Sequence, residues 1–127
     1  MKKRTIRLVS MCLALAIMFS VAAFAATSGT KNSVYAKISA KSATNGEQVN
    51  LYVSRSDATK VQGTIGVYTS GGSLVTSFTP QLSNSSSATF SFTVSWSSIS
   101  TGYYAQGATS AYVSKWVSGY TPSVSLA

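Results

Sequence analysis

Few side chains in this sequence can do acid–base or covalent chemistry. It has no histidine, one cysteine (Cys12) and two carboxylates, Glu47 and Asp57. Without histidine, Ser-His-Asp and Cys-His relays have no base, and zinc sites of the usual kind lose their main ligands. A glycosidase needs two facing carboxyl groups, and here the pair could only be Glu47, read as a turn residue, and Asp57, in the loop after Val53. Both read more simply as solvated loop residues. A serine with a lysine base is the nucleophile option left in so serine-rich a chain. Gly71-Gly72 opens no helix, so a hairpin turn accounts for it better than a phosphate cradle. The expectation is a chain that is not an enzyme and uses no cofactor and no metal.

What remains is binding. Tyr103, Tyr104, Tyr112, Trp116 and Tyr120 gather in the C-terminal third, with Lys115 among them. Aromatic rings beside a cation can stack on sugars or insert at a membrane interface; the other reading is that some of them cap the ends of the fold. The candidate contact residues are Trp116, Lys115, Tyr120, Tyr112 and Tyr103. The positive balance prefers anionic partners such as a cell-wall polymer, an acidic glycan or a membrane surface. Nucleic acid is not expected, because the charge is sparse and unclustered.

The elements that must position these residues begin after a leader. Lys2, Lys3, Arg4 and Arg7 form a cationic start, Leu8 to Phe24 run almost wholly apolar, and Ala23-Phe24-Ala25 closes the run with small residues. This is the pattern of a cleavable export signal, with the cut between Ala25 and Ala26. A retained membrane anchor is the alternative, since the run approaches the roughly 20 residues that span a bilayer; the small closing residues and the lack of a basic flank favour cleavage. Cys12 follows Met11 inside the apolar run and reads as one more apolar residue, not a lipidation site. Loss of residues 1–25 would leave Lys31, Lys37, Lys41, Arg55, Lys60 and Lys115 against the two carboxylates, a net charge of about +4. The remaining chain of about 100 residues has no cysteine and must fold by packing alone. The layout expected is residues 1–25 as signal, 26–32 as a short flexible start and 33–127 as one domain.

Within that domain the apolar period is two. Val34, Ala36, Ile38 and Ala40 alternate with polar residues; so do Val49, Leu51 and Val53; then Val61, Gly63, Ile65 and Val67. Leu74, Thr76 and Phe78 form a fourth strand that Pro80 stops. In the fifth, Ala88, Phe90, Phe92, Val94 and Trp96 face one way and Thr89, Ser91, Thr93 and Ser95 the other. Residues 103–113 and a shorter stretch around 117–126 complete about seven strands. Turns are read at Asn45-Gly46, Gly71-Gly72, residues 84–87 and 100–102. With no helix-period segment, this predicts an all-β fold, an antiparallel two-sheet sandwich.

Gly46 to Val53 resembles the second-strand pattern of immunoglobulin-like domains, and Ile99 to Ala105 is similar to the approach to their sixth strand. The resemblance implies that Tyr104 is a corner tyrosine, its ring over the core edge and its hydroxyl turned back to the backbone. The positions of the family's cysteine pair hold Val53 and Gln106, and the third strand lacks its tryptophan, so the likeness is to disulfide-free bacterial immunoglobulin-like or fibronectin type III-like modules. Such modules in Gram-positive surface proteins can carry a lysine–asparagine crosslink, for which Lys37 or Lys41, Asn50 and Glu47 are the available set; solvent-facing lysines are the simpler reading. The functional expectation is a secreted, non-enzymatic bacterial domain contacting envelope or matrix through its loops. The alternatives are a bacteriocin-like antimicrobial effector and a self-assembling coat component.

Overall fold

The structure is a computed structural model that describes residues 26–126. The signal segment read over residues 1–25 lies outside them. The described residues form ten strands: β1 (Ser28–Lys31), β2 (Val34–Ser42), β3 (Gly46–Ser54), β4 (Lys60–Tyr68), β5 (Leu74–Ser77), β6 (Gln81–Ser83), β7 (Ser87–Ser95), β8 (Tyr104–Tyr112), β9 (Trp116–Ser118) and β10 (Ser123–Ser125), with a single 3-10 turn at Trp96–Ser98. They make two antiparallel sheets. Sheet A runs β1-β2-β3-β7; sheet B runs β10-β8-β4-β5, with β6 also on β4 and β9 also on β8. The all-β sandwich expected from the period-two pattern is the fold found.

The count exceeds seven for a local reason. Each edge of sheet B is one strand position broken in two, at Phe78–Pro80 between β5 and β6 and at Gly119–Pro122 between β9 and β10. Proline cannot donate to a ladder, so an edge is where it is tolerated, and a broken edge is a poor template for another chain. Pro80 therefore interrupts its strand position without ending it. Residues 28–31 pair with β2 as β1. The turn joining them holds Asn32 and Ser33 at φ 52° and 64°, the left-handed pair that a two-residue hairpin of matching twist requires.

The core is where the inner faces meet. Val34, Ile38, Val49, Leu51, Val53, Phe90, Phe92 and Val94 of sheet A pack on Val61, Ile65, Val67, Ala105 and Ala111 of sheet B, with Leu126. Leu51 locks the two together: a Cβ at Gly63 would stand 2.9 Å from its Cδ2, and one at Gly107 2.7 Å from its Cδ1. Leu51 fills the space at Gly107, and at Gly63 it does so together with Phe90, whose Cδ2 would stand 2.8 Å from a Cβ there, which is close approach and not backbone freedom.

Three sequence readings are corrected here. Trp96 does not continue the core face of β7; the strand ends at Ser95, and Trp96 is 41 % exposed with its ring nitrogen donating to the Thr44 carbonyl at 3.3 Å. Glu47 is not a solvated turn residue, being 5 % exposed within β3. Tyr104 is not a corner tyrosine over the core. Ala105 and Ala111 fix the inward positions of β8, so Tyr104 points outward and stacks on Tyr68, while Tyr103 packs against the core.

Candidate functional site: the outer face of sheet B

Strand alternation and register place a defined set of residues on the side of sheet B away from the core. Five rungs cross it. The first carries Lys60, Tyr112 and Trp116; the second Leu82, Gln62, Ser110 and Ser118; the third Thr64 and Ala108; the fourth Ser77, Gly66, Gln106 and Ser123; the fifth Leu74, Tyr68, Tyr104 and Ser125. At about 3.3 Å per residue the strip is about 27 Å long. Lys60 is its only charged residue.

Aromatic pairs close both ends. At the first rung Tyr112 and Trp116 meet edge to face with centroids 5.4 Å apart, and the Lys60 ammonium stands 5.5 Å above the Tyr112 ring. A cation so placed gains about 0.5–1 kcal/mol at an exposed site. At the fifth rung Tyr68 and Tyr104 stack with centroids 5.2 Å apart and planes at 14°. Burial and the neighbouring Tyr104 push the Tyr68 phenol up to about 12, and burial raises Tyr104 as well. A cleft of about 410 Å³ opens beside Tyr104, lined by Ala26, Thr27, Ser70, Gly102 and β10.

Between the aromatic ends lies a neutral strip. Thr64 Oγ1 donates to the Phe78 carbonyl at 2.5 Å, tying β4 to the broken edge. Gln106 is fully enclosed, and neither its amide nitrogen nor its amide oxygen has a hydrogen-bond partner. An enclosed amide left unpaired costs about 1–3 kcal/mol.

The residues singled out from the sequence fall in three places. Tyr112 and Trp116 come together with Lys60, and Lys115 is exposed at the turn between β8 and β9, next to that corner. Tyr120 stands apart: its hydroxyl accepts from the Ala26 N–H at 3.1 Å, its carbonyl accepts from Thr109 at 2.8 Å, and its ring fills the space beside Gly29. Tyr103 is packed on the core. Lys60, Gln62, Tyr68 and Gln106 were not singled out, although the outward positions of β4 after Lys60 read Gln62, Thr64, Gly66, Tyr68 without a charge.

The geometry assembles no catalytic set from the residues considered. Glu47 and Asp57 lie near opposite ends of β3, roughly 23 Å or more apart along the strand, far beyond the spacing of a glycosidase pair. Asp57 pairs with Arg55 at 2.6 Å. That contact lowers the Asp57 carboxyl below its ordinary range. Ser28-Gly29-Thr30-Lys31 has Ser-x-x-Lys spacing, but it lies on β1, where positions three apart point to opposite faces. Lys37, Lys41 and Asn50 share the outer face of sheet A, whereas Glu47 alternates with them toward the core side, so the crosslink set is not brought together. Among the described residues no three His, Cys, Asp or Glu gather to hold a metal ion, and no helix is long and apolar enough to cross a membrane.

No protein-family model, curated protein or solved structure matches the chain.

Proposed function

We propose that the chain is made for export and that its processed form, beginning at Ala26, is a non-enzymatic extracellular domain that holds an anionic envelope polymer at the Lys60–Tyr112–Trp116 corner, with Lys115 beside it. The observation that carries this reading is the corner itself. A cation stands over one ring, a second ring meets the first edge to face, and a second cation sits at the adjoining turn, all at the end of a face with no other charge. Amphipathic rings supply contact area and the ammonium groups meet phosphate or carboxylate. The strand order, with β2-β3-β7 facing β10-β8-β4-β5, supports a likeness of form to immunoglobulin-like or fibronectin type III-like modules; a fold likeness by itself assigns no activity.

The test is co-sedimentation of the protein recovered from culture supernatant with washed Gram-positive cell walls, after mass spectrometry of its N-terminus. The expected protein starts at Ala26 and pellets with walls, and Trp116→Ala releases it while leaving the unfolding midpoint nearly unchanged. A protein that keeps residues 1–25, or wall binding that survives Trp116→Ala, would count against the reading.

A further inference from the structure

Charge is shared unevenly between the two ends of the sandwich. Residues 26–127 hold six cationic side chains and two carboxylates. One end takes Lys31, Arg55, Lys60 and Lys115, because β1, β3 and β8 finish there and β4 and β9 start there. Asp57 is the carboxylate at that end, and it is paired with Arg55. The turns of the opposite end, 43–45, 69–73 and 96–103, carry no charge. Like charges gathered on exposed side chains repel one another and add nothing to the fold, but they attract an anion.

The register decides which side each lysine serves. In β1, Lys31 stands opposite Val34, which is buried on the core side of β2, whereas Thr30 stands opposite Tyr35 on the outer face. Lys31 therefore faces away from Lys37 and Lys41 and toward sheet B, and it stays exposed because β1 is an edge strand that ends there. Asn32 joins it to that sheet. The Asn32 Nδ2 donates to the Ser118 carbonyl at 3.0 Å, and the Asn32 carbonyl accepts from Arg55 Nη1 at 2.5 Å. Lys31 is thus one residue from a bond to β9, and Trp116 is two residues from the same bond. From Lys60 the pairing runs through Tyr112 to Trp116, with Lys115 at the turn. Two strand spacings of about 4.8 Å and one sheet spacing of about 10 Å make a path of about 20 Å from Lys60 to Lys31.

Three ammonium groups line this path, and the ion pair found among the described residues, Arg55 with Asp57, uses none of them. Lysine meets phosphate as a point charge, while planar recognition of a carboxylate draws on the arginine fork. The fork at this end is already engaged by Asp57 and by the Asn32 carbonyl. A path that leaves the outer face of sheet B and turns over its edge to β1 suits a chain better than a flat surface. We propose that the polymer held at the Lys60–Tyr112–Trp116 corner is a phosphodiester chain whose bound segment runs on across β9 to Lys31. The inference rests on the preceding reading and adds to it the chemistry of the ligand and a third cationic contact.

Isothermal titration of the secreted protein with poly(glycerol phosphate) tests this, with polygalacturonate as the carboxylate arm and phosphatidylglycerol vesicles as the bilayer arm. The expected result is tightest binding of poly(glycerol phosphate). Lys31→Gln weakens it about fivefold, lowers the slope of log affinity against log salt by about one and leaves the unfolding midpoint in place. Lys31→Arg keeps the affinity, and so does Lys41→Gln on the outer face of sheet A. Tighter binding of polygalacturonate, or binding of vesicles alone, overturns the proposal by giving the cations to a carboxylate polymer or to a bilayer. So do binding that Lys31→Gln leaves intact, equal losses in Lys31→Gln and Lys41→Gln, and no binding of any of the three probes. Walls that pellet the wild type and Lys31→Gln alike but release Trp116→Ala leave the preceding reading standing and remove this one.

Discussion

The two sheets share one core and turn opposite kinds of surface outward. On sheet A, β7 alternates exposed and buried residues from Thr89 to Ser95, and past the half-buried Tyr35 the outward positions of β2 hold Lys37, Ser39 and Lys41, all exposed. Those charges keep that face wetted. On sheet B, β4 and β8 are buried on both sides over nearly their whole length, and apart from Lys60 their outward positions hold amides, hydroxyls, glycine, alanine and tyrosines. One fold thus carries a charged outer face and a nearly uncharged one. The difference lies in which residues occupy the positions that alternate with the core.

The largest expected effect sets the scale for both faces. Leu51→Ala should lower stability by about 3 kcal/mol, because Leu51 is fully buried and packs into the space beside Gly63 and Gly107. Chemical denaturation would measure it. A loss below about 1 kcal/mol would mean that the sheets do not meet there. Next in size, Thr64→Ala removes the hydroxyl that bonds the Phe78 carbonyl on sheet B and should cost about 1–2 kcal/mol. Ser91→Ala removes the exposed bond to Asn50 on sheet A and should stay within about 0.5 kcal/mol. Equal costs would erase the contrast between the faces.

A smaller effect is read in alkali. The Tyr68 phenol is pushed up to about 12 by burial and by Tyr104. Its neutral form is favoured in the fold, so its contribution is complete below the ordinary tyrosine value of about 10 and is lost as pH rises from there through about 12. Thermal unfolding midpoints should fall across that window, and Tyr68→Phe should flatten the fall. An unchanged slope in Tyr68→Phe would place the phenol in water.

The sheet A face was legible because polar and apolar residues alternate along most of its strands, as in Thr89-Phe90-Ser91-Phe92-Thr93-Val94. Sheet B was legible only as strands. In Tyr104-Ala105-Gln106-Gly107-Ala108-Thr109-Ser110-Ala111 both faces carry small or neutral residues, so the period does not say which tyrosine turns inward. A one-residue slip exchanged Tyr103 and Tyr104. Trp96 was misplaced for a related reason: hydrophobic period continues past Ser95, but the chain turns there. The corner was half legible. Tyr112 and Trp116 are near in sequence, whereas Lys60 reaches them only through the pairing of β4 with β8, which no local pattern encodes.

Wall binding by two charge-matched double variants tests most directly whether contact belongs to sheet B. Lys60→Ala with Lys115→Ala removes two cations from the aromatic corner, and Lys37→Ala with Lys41→Ala removes two from the outer face of sheet A. Both leave the same net charge, so long-range attraction to an anionic wall falls equally. The account predicts that the first variant stays in the supernatant while the second pellets with walls as the wild type does. Equal loss in both would mean that net charge alone draws the protein to the wall, and would contradict a contact face on sheet B.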